Sequence, residues 1–122
     1  MIEKLAELVN ADAALVHRAR WMTVDMLLRI GNEAHRVEIR AGRIESCQPA
    51  DPGLSGYDFA ICGTADAWAE FWRPMPKPRH HDINALIREG KMRIEGNLDI
   101  AMAHFLTIKL MLEKPRQLGA KA

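Results

Sequence analysis

Two adjacent histidines and an aspartate, His80-His81-Asp82, have the side chains that most resemble a metal site in this sequence. Imidazole and carboxylate groups bind zinc, but neighbouring side chains on an extended segment point to opposite sides, so both histidines cannot easily reach one ion. Asp82 also precedes an apolar helical pattern, where it would act as a helix cap. Nothing in the spacing of His35 or His104 indicates a third ligand. We therefore expect an exposed turn at this position, no metal site and no cofactor.

The two cysteines, Cys47 and Cys62, are the candidate nucleophiles. Neither belongs to a Cys-x-x-Cys pair or lies in a recognisable nucleophile motif. Cys62 ends an apolar run, where a free cysteine usually packs as a small hydrophobic side chain. No base and nucleophile can be paired from the sequence, so we expect no catalytic residue and a protein that is not an enzyme.

A basic cluster follows the middle of the chain and comprises Arg73, Lys77, Arg79, His80 and His81. Such a cluster is typical of a solvated loop, or of an anionic headgroup site that allows at most transient contact with a membrane surface. The net charge of +1 gives no sign of the concentrated basic surface of a nucleic-acid-binding protein. We expect no nucleic-acid partner.

Length and composition predict one domain over residues 1–122. The chain has 122 residues, of which 48% are hydrophobic and 27% charged, as in ordinary globular domains. The start, Met1-Ile2-Glu3-Lys4, has no apolar leader, and no apolar run is long enough to span a bilayer. We therefore expect a cytoplasmic protein, with residues 116–122 as a disordered tail.

The apolar spacing in the first half of the chain changes from helical to alternating. A helix is predicted first, because Leu5, Val9 and Val16 recur near helical spacing. Alternation from Val24 onward, interrupted by glycine turns, predicts an antiparallel meander of three strands, the third near Arg43 to Cys47. A loop from Pro49 to Gly56 precedes a fourth strand containing Tyr57, Phe59 and Ile61.

Residues that commonly cap helices predict where the helices of the second half of the chain begin and end. Thr64 would cap a helix that ends before Pro74, and Asp82 would cap a second helix that stops at Gly90. A brief fifth strand follows with Met92 and Ile94, and a long helix runs from Asn97 to about Lys114. Because the last strand enters the sheet after a helical crossover, we expect a mixed sheet.

The last predicted helix is apolar on more than one side. One stripe would pack against the sheet, with Met102 beside it: Leu98, Ala101, Phe105, Ile108 and Leu112. Further apolar residues fall away from that stripe: Ile100, Ala103, Leu106, Leu110 and Met111. A helix of this kind is covered on two sides. The second cover would be a neighbouring helix, a partner subunit, a membrane surface or a bound apolar ligand.

An aromatic cluster, Trp68, Phe71 and Trp72, lies on the helix after the fourth strand. Core packing explains it, because tryptophan buries well and needs only one partner for its N–H. The functional interpretation places the cluster at the mouth of a cavity, with the connector from Pro74 to Pro78 as its rim.

The run from Gly90 to Leu98, Gly-Lys-Met-Arg-Ile-Glu-Gly-Asn-Leu, resembles the signature of the sterol carrier protein type-2 family, in which such a run leads from the last strand into an apolar C-terminal helix. Two earlier pieces match in order, namely Phe59-Ala60-Ile61-Cys62-Gly63-Thr64 with Trp68, and the helix that begins at Asp82. The resemblance spans about Thr23 to Glu113. The chain departs from the family at Asn97, where Asp is frequent, but both residues cap helices.

The resemblance implies an α+β fold with a five-stranded, mostly antiparallel mixed sheet, helices on one face, and an apolar cavity beneath the C-terminal helix. It also implies non-catalytic binding or transfer of a lipid or other apolar small molecule, such as a fatty acyl chain, acyl-CoA or a sterol. The alternative is a homodimerising or partner-binding accessory module without such a ligand. The residues expected to bind the ligand are Phe59, Ile61, Trp68, Trp72, Leu86, Met92, Ile94, Leu98, Met102, Phe105 and Leu106.

Overall fold

The computed structural model describes residues 2–51 and 56–117. Its elements, after a 3₁₀ turn at Ile2–Lys4, are α1 (Leu5–Asn10), α2 (Ala13–Arg18), β1 (Val24–Ile30), β2 (Glu33–Arg40), β3 (Arg43–Ala50), β4 (Phe59–Gly63), α3 (Ala65–Phe71), α4 (Ile83–Arg88), β5 (Met92–Gly96), α5 (Leu98–Ala103) and α6 (Phe105–Leu112). In the part of the chain that the structure describes, no helix has the length and apolar character needed to cross a bilayer. Most of the predicted tail, residues 118–122, lies outside the described residues.

The five strands form one mixed sheet in the order β3-β2-β1-β4-β5, which confirms the predicted fold class. The first three strands are the expected antiparallel meander. The prediction that the last strand makes the sheet mixed is wrong, because β5 runs antiparallel to β4. The parallel pair is β1 with β4. It arises because β4 pairs with β1, on the opposite side of the meander from β3, and runs in the same direction as β3.

Edge strand β3 is longer than predicted, since it runs to Ala50 instead of ending near Cys47. Proline is tolerated at Pro49 because an edge strand has backbone N–H groups that need no partner strand. At the other end of β3, the side-chain amide of Asn10 bonds to both backbone groups of Ile44. Its Nδ2 donates to the carbonyl oxygen and its Oδ1 accepts from the backbone N–H, each at 2.9 Å.

One face of the sheet carries the helices and the main core. Sheet residues such as Met26, Leu28 and Val37 are buried there at 1% exposure or less. They pack in one cluster with buried residues of the helices: Leu5 and Val9 of α1, Leu15 of α2, Trp68 and Phe71 of α3, Leu86 of α4, Ala101 of α5, and Ile108 and Leu112 of α6. The predicted arrangement of helices on one face is therefore confirmed.

The opposite face of the sheet carries the charged residues expected on the exposed side of β2, beside a small buried cluster of Leu27, Ala34, Ala60 and Cys62. Asp25 pairs with Arg36 at 3.2 Å and with Arg40 at 2.9 Å, and Arg29 pairs with Glu95 at 2.6 Å. The pairs of Asp25 join the neighbouring strands β1 and β2 and support their pairing, whereas the Arg29–Glu95 pair reaches from β1 across β4 to β5. The charged side chains of this face pair with one another, so an apolar binding site is expected on the helical side of the sheet.

The β2–β3 turn packs against the end of α2. Gly42 has a φ of +82° and donates its N–H to the Met22 carbonyl at 3.0 Å. A Cβ atom at this position would lie 2.7 Å from the Val16 carbonyl oxygen, so both the backbone conformation and the close approach require glycine. The turn therefore brings Arg43, the next residue, to the end of the molecule where α2 ends.

Candidate functional site

The last predicted helix is two helices. Asn97 caps α5 as expected, since its Oδ1 accepts a hydrogen bond from the backbone N–H of Ile100 at 3.1 Å. The prediction of one continuous helix to Lys114 is wrong, because His104 leaves helical geometry at φ −115° and ψ 14°. Neither glycine nor proline occurs near His104, so the sequence carries no signal for the interruption. α6 begins again at Phe105.

The inner side of α5 and α6 packs on the core. Ala101, Ile108, Met111 and Leu112 are at most 1% exposed, and Phe105 packs against them while partly buried. The predicted inner stripe is correct for Ala101, Ile108 and Leu112. It is wrong for Met111, which the sequence placed away from the core.

The outer side of α5 and α6 is apolar and exposed. Leu98 and Met102 lie four residues apart in α5 and share one side of it, and Leu106 lies in the first turn of α6; the three are exposed at 52%, 54% and 54%. We call these three residues the outer face. Leu98 was predicted on the inner stripe and lies on the outer face instead. Large apolar side chains in a row on a surface mark a contact site.

The eleven predicted ligand-binding residues divide between the core and the outer face. Six are buried at 4% exposure or less: Phe59, Ile61, Trp68, Trp72, Leu86 and Met92. Ile94 and Phe105 are partly buried against the same cluster. Leu98, Met102 and Leu106 form the outer face. α5 and α6 thus separate the two groups, and a common role of all eleven in ligand binding stays a prediction.

The aromatic cluster packs in the core. The Trp68 and Phe71 rings meet edge to face at 5.8 Å, and the Trp68 and Trp72 rings lie 4.9 Å apart. Each indole donates its N–H to a backbone carbonyl, Trp68 to Arg29 at 2.9 Å and Trp72 to Leu112 at 2.8 Å. These contacts favour the core-packing interpretation of the cluster. They also fix α3 to β1 and to the end of α6.

A groove of about 520 Å³ lies between α2 and α6. We call it the α2–α6 groove. Leu15, Ala14 and Leu110 contribute apolar side chains to it. Its remaining lining residues are polar or charged: Asp12, Arg18, Glu113, Lys114, Arg116 and Gln117. Leu110 follows Leu106 by four residues, so the outer face leads along the helices towards the groove.

Ion pairs and hydrogen bonds hold the rim of the groove. Lys114 bonds to the Asp12 carboxylate, and this bond, with the Leu15 backbone N–H, holds the pKa of Asp12 below its usual value. The Arg116 guanidinium donates to the Phe71 and His81 carbonyls at 2.6 and 2.7 Å. Burial lowers the pKa of Arg116, although arginine still remains protonated. Arg18 is exposed and makes no ion pair within the described residues.

The sequence reasoning missed this groove. Leu15 and Arg18 belong to the first helical segment, far from the final helix in sequence, and only the fold brings α2 against α6. The available signal was Leu110, whose position away from the inner stripe of the final helix indicated a second apolar contact.

The motif His80-His81-Asp82 has structural roles. His80 is buried at 6% exposure, which corrects the expectation of an exposed turn. Its Nδ1 lies 3.1 Å from the Pro78 carbonyl and its Nε2 lies 3.2 Å from the Lys91 Nζ. Asp82 caps α4 by accepting from the Asn84 N–H at 2.9 Å. Within residues 2–51 and 56–117, no three His, Cys, Asp or Glu side chains are arranged to hold a metal ion.

The two cysteines lack the environment of a nucleophile. Burial raises the pKa of the Cys62 thiol, although the Arg29 guanidinium 3.6 Å away opposes the shift. Burial also raises the pKa of Cys47. A reactive cysteine needs a lowered pKa, because the thiolate is the nucleophile. Both residues favour the thiol form at neutral pH.

Solved structures share this fold, although no protein-family model and no curated protein matches the sequence. Sterol carrier protein 2 superposes with a TM-score of 0.74 at 15% identity, covering 94% of this chain and 92% of that one. A conserved hypothetical protein from Thermus thermophilus, suggested to be a sterol carrier protein, gives 0.73 at 13% identity over 95% and 84%. Palmitated SCP2L2 from Aedes aegypti gives 0.57 at 14% identity over 90% and 89%. This chain therefore has the fold of sterol carrier protein 2 domains, as its sequence resemblance predicted.

Proposed function

We propose that this chain belongs to the sterol carrier protein type-2 family and binds or transfers a lipid-like apolar ligand without catalysing a reaction. The ligand classes that we propose are a fatty acyl chain, acyl-CoA or a sterol-like molecule. The outer face carries the proposal, because three large apolar side chains there are each more than half exposed. Among the structures that share the fold, one is named as palmitated.

The α2–α6 groove and the outer face together fit an amphiphile. A volume of about 520 Å³ lies within the usual range for small-molecule sites. Leu15 and Leu110 would contact the hydrocarbon part of the ligand. Arg18 at the rim would pair with an anionic head, since its guanidinium has no carboxylate partner among the described residues.

The predicted cavity between sheet and helices is part of the same proposal. Ile94 and Phe105 pack against the core and are only partly buried. A ligand bound to the outer face would contact Ile94 and Phe105 if it extended towards the core. The six buried residues are at most 4% exposed, so a ligand would contact them only after α5 and α6 move away from the sheet.

A fluorescent fatty acid titrated into the purified protein tests the proposal. Fully burying a leucine or methionine side chain contributes about 1.5–3 kcal/mol. A ligand that covers the exposed 54% of Leu106 would therefore gain about 1 kcal/mol, which is about fivefold in Kd. We expect Leu106→Ser and Met102→Ser each to weaken binding about fivefold, and the double variant to weaken it further.

Met75→Ser is the matched control, because Met75 is 88% exposed and no residue of the connector from Pro74 to Pro78, which the sequence placed at the rim of a cavity, lines the α2–α6 groove. It should bind the fatty acid as the unaltered protein does. Native mass spectrometry of the purified protein should also show copurified lipid. The proposal fails if no fatty acid, acyl-CoA or sterol binds, or if the outer-face variants and Met75→Ser bind equally well.

The same outer face also fits the alternative of a homodimerising or partner-binding module, since apolar patches bind proteins as well as lipids. Analytical ultracentrifugation separates the two functions. A dimer that Leu106→Ser converts to a monomer, in a protein that binds no lipid, would favour the alternative. We further propose a cytoplasmic location, because Cys47 and Cys62 are both unpaired, as is usual in a reducing compartment.

A further inference from the structure

A pocket of about 350 Å³ lies where β1 and β4 end and β5 begins. We call it the strand-end pocket. Three cationic side chains line it: Arg29 of β1, Lys91 just before β5, and Arg93 of β5. None of the described residues that line it is an aspartate or a glutamate. The α2–α6 groove differs, because Asp12 and Glu113 line it beside its cations.

Two of these cations belong to one row of side chains across the sheet. Arg29 is the partner of Cys62 in the register of β1 and β4, and Cys62 is the partner of Arg93 in the register of β4 and β5. Partner residues on neighbouring strands point to the same face. Cys62 packs with Leu27 and Ala60 on the face opposite the helices. The sheet therefore separates this row from the outer face and from the α2–α6 groove.

A single carboxylate, that of Glu95, holds both arginines of the row. Its Oε2 lies 2.6 Å from the Nη1 of Arg29, and its Oε1 accepts from the Nε of Arg93 at 2.7 Å. One carboxylate offsets one of the three positive charges at the pocket. Two positive charges are left without a counterion among the described residues, and they attract an anion.

Lys91 is held by a buried histidine instead of a carboxylate. His80 is 6% exposed, and its Nδ1 lies 3.1 Å from the carbonyl oxygen of Pro78. Because a carbonyl oxygen only accepts, Nδ1 carries the hydrogen, and Nε2 accepts from the Lys91 Nζ at 3.2 Å. This contact fixes the ammonium group at the pocket. It leaves the charge of Lys91 uncompensated, since an imidazole nitrogen carries no negative charge.

We propose that the strand-end pocket binds a small phosphate monoester. Such a phosphate carries about two negative charges at neutral pH, which matches the two uncompensated positive charges, whereas a carboxylate carries one. Guanidinium groups donate paired N–H groups to phosphate oxygens. The Asn32 amide and the Thr64 hydroxyl line the same pocket and can donate to the rest of the molecule. The inference goes beyond the proposed lipid binding and does not rest on it.

Isothermal titration calorimetry with glycerol 3-phosphate tests the proposal. The protein should bind this monoester at one site, and it should bind glycerate, which has a carboxylate instead of a phosphate, about tenfold more weakly. Lys91→Gln and Arg93→Gln should each weaken binding of glycerol 3-phosphate about tenfold. Both side chains are exposed, so the variants should keep the circular dichroism spectrum of the unaltered protein. Equal binding of the two anions, or no binding of glycerol 3-phosphate, would overturn the proposal.

Arg43→Gln is the matched control for the lost charge. Arg43 is exposed and begins β3 at the opposite end of the sheet, because the end of β2 lies beside the start of β1. The variant should bind glycerol 3-phosphate within about twofold of the unaltered protein, since exposed charges that far away are screened. If it weakens binding as much as Lys91→Gln does, net charge and not the pocket attracts the phosphate, and the proposal is overturned.

Nuclear magnetic resonance of the ¹⁵N-labelled protein locates the bound phosphate. Glycerol 3-phosphate should shift the backbone amide signals of Asn32, Thr64 and Lys91. The signals of Arg18 and Leu110, which line the α2–α6 groove, should stay in place. The reverse pattern would overturn the proposal, because the anion would then bind on the helical side of the sheet.

A lipid phosphate and a water-soluble phosphate are separated with dihexanoyl phosphatidic acid, a monoester that also carries acyl chains. Leu106→Ser should leave the binding of glycerol 3-phosphate unchanged, since Leu106 lies on the outer face. The proposal is overturned if only phosphatidic acid binds and Leu106→Ser weakens it, because the phosphate would then be the headgroup of a lipid at the outer face. A protein that binds glycerol 3-phosphate but no fatty acid, acyl-CoA or sterol would overturn the proposed function and support the phosphate site.

Discussion

The buried hydrogen bond from the Trp72 indole to the Leu112 carbonyl joins α3 to the end of α6. The last carbonyls of a helix have no donor within it. The backbone N–H of Arg116, four residues after Leu112, bonds instead to the Glu113 carbonyl at 3.1 Å. The Leu112 carbonyl therefore depends on Trp72. The same tryptophan was predicted from the sequence to contact the ligand, so its substitution distinguishes the two roles.

Trp72→Phe removes the donor and keeps an aromatic ring. A buried carbonyl left without a partner costs about 1–3 kcal/mol, and the space left by the smaller ring adds about 1 kcal/mol. We expect the variant to lose about 2–4 kcal/mol of its free energy of unfolding. The unfolding entropy of a 122-residue chain is about 0.26 kcal/mol/K. The loss therefore corresponds to a Tm lowered by about 8–15 °C.

Thermal and urea unfolding, each followed by circular dichroism, measure this loss. Trp21→Phe is the control, because Trp21 is 82% exposed, and it should stay within about 0.5 kcal/mol of the unaltered protein. A Trp72→Phe variant of unchanged stability would refute the reasoning. If a variant of unchanged stability nevertheless bound a fluorescent fatty acid more weakly, Trp72 would contact the ligand instead of holding α6.

Two further predictions concern a turn and an ion pair. Gly42→Ala should lower the free energy of unfolding by more than about 2 kcal/mol, because a residue at φ +82° is strained and its Cβ would lie 2.7 Å from a backbone oxygen. Gly90→Ala is the control, since Gly90 has a similar φ of +76° but open space around it, and it should lose less stability in urea unfolding. Equal losses in the two variants would contradict the steric argument. Hydrogen bonds from Arg93 and Arg29 lower the pKa of Glu95 from its usual 4.5. Its contribution to stability is therefore present above about pH 4.5 and is lost as the pH falls through the lowered pKa. Glu95→Gln should consequently lose less stability than the unaltered protein between pH 6 and pH 3, and parallel urea midpoints for the two proteins would disprove this.

The local elements could be predicted because their signals lie in neighbouring residues. Alternation and glycine turns predicted the meander, and Thr64, Asp82 and Asn97 cap the helices that were assigned to them. The parallel pairing of β1 with β4 could not be predicted this way. It depends on which strand of the meander β4 joins, and the alternation of residues in either strand does not encode that choice.

The final helices show the same limit for the candidate site. The sequence indicated that they are apolar on two sides, and the structure confirms this. It did not indicate the interruption at His104, because His104 has no unusual helix propensity and no glycine or proline lies nearby. Placing Leu98 on the inner stripe assumed one straight helix. The exposure of Trp21 could not be predicted from the spacing of apolar residues either, because Trp21 lies in a turn.

The free edge of β3 is closed to another strand at both ends. The Asn10 amide already bonds to the backbone N–H and carbonyl of Ile44, and Pro49 has no N–H to offer. An incoming strand would have to displace one side chain and forgo a hydrogen bond at the other end, so growth of the sheet from this side is disfavoured. Copies of the protein that associate at this edge would have to meet through side chains, which protects β3 against fibre-like stacking.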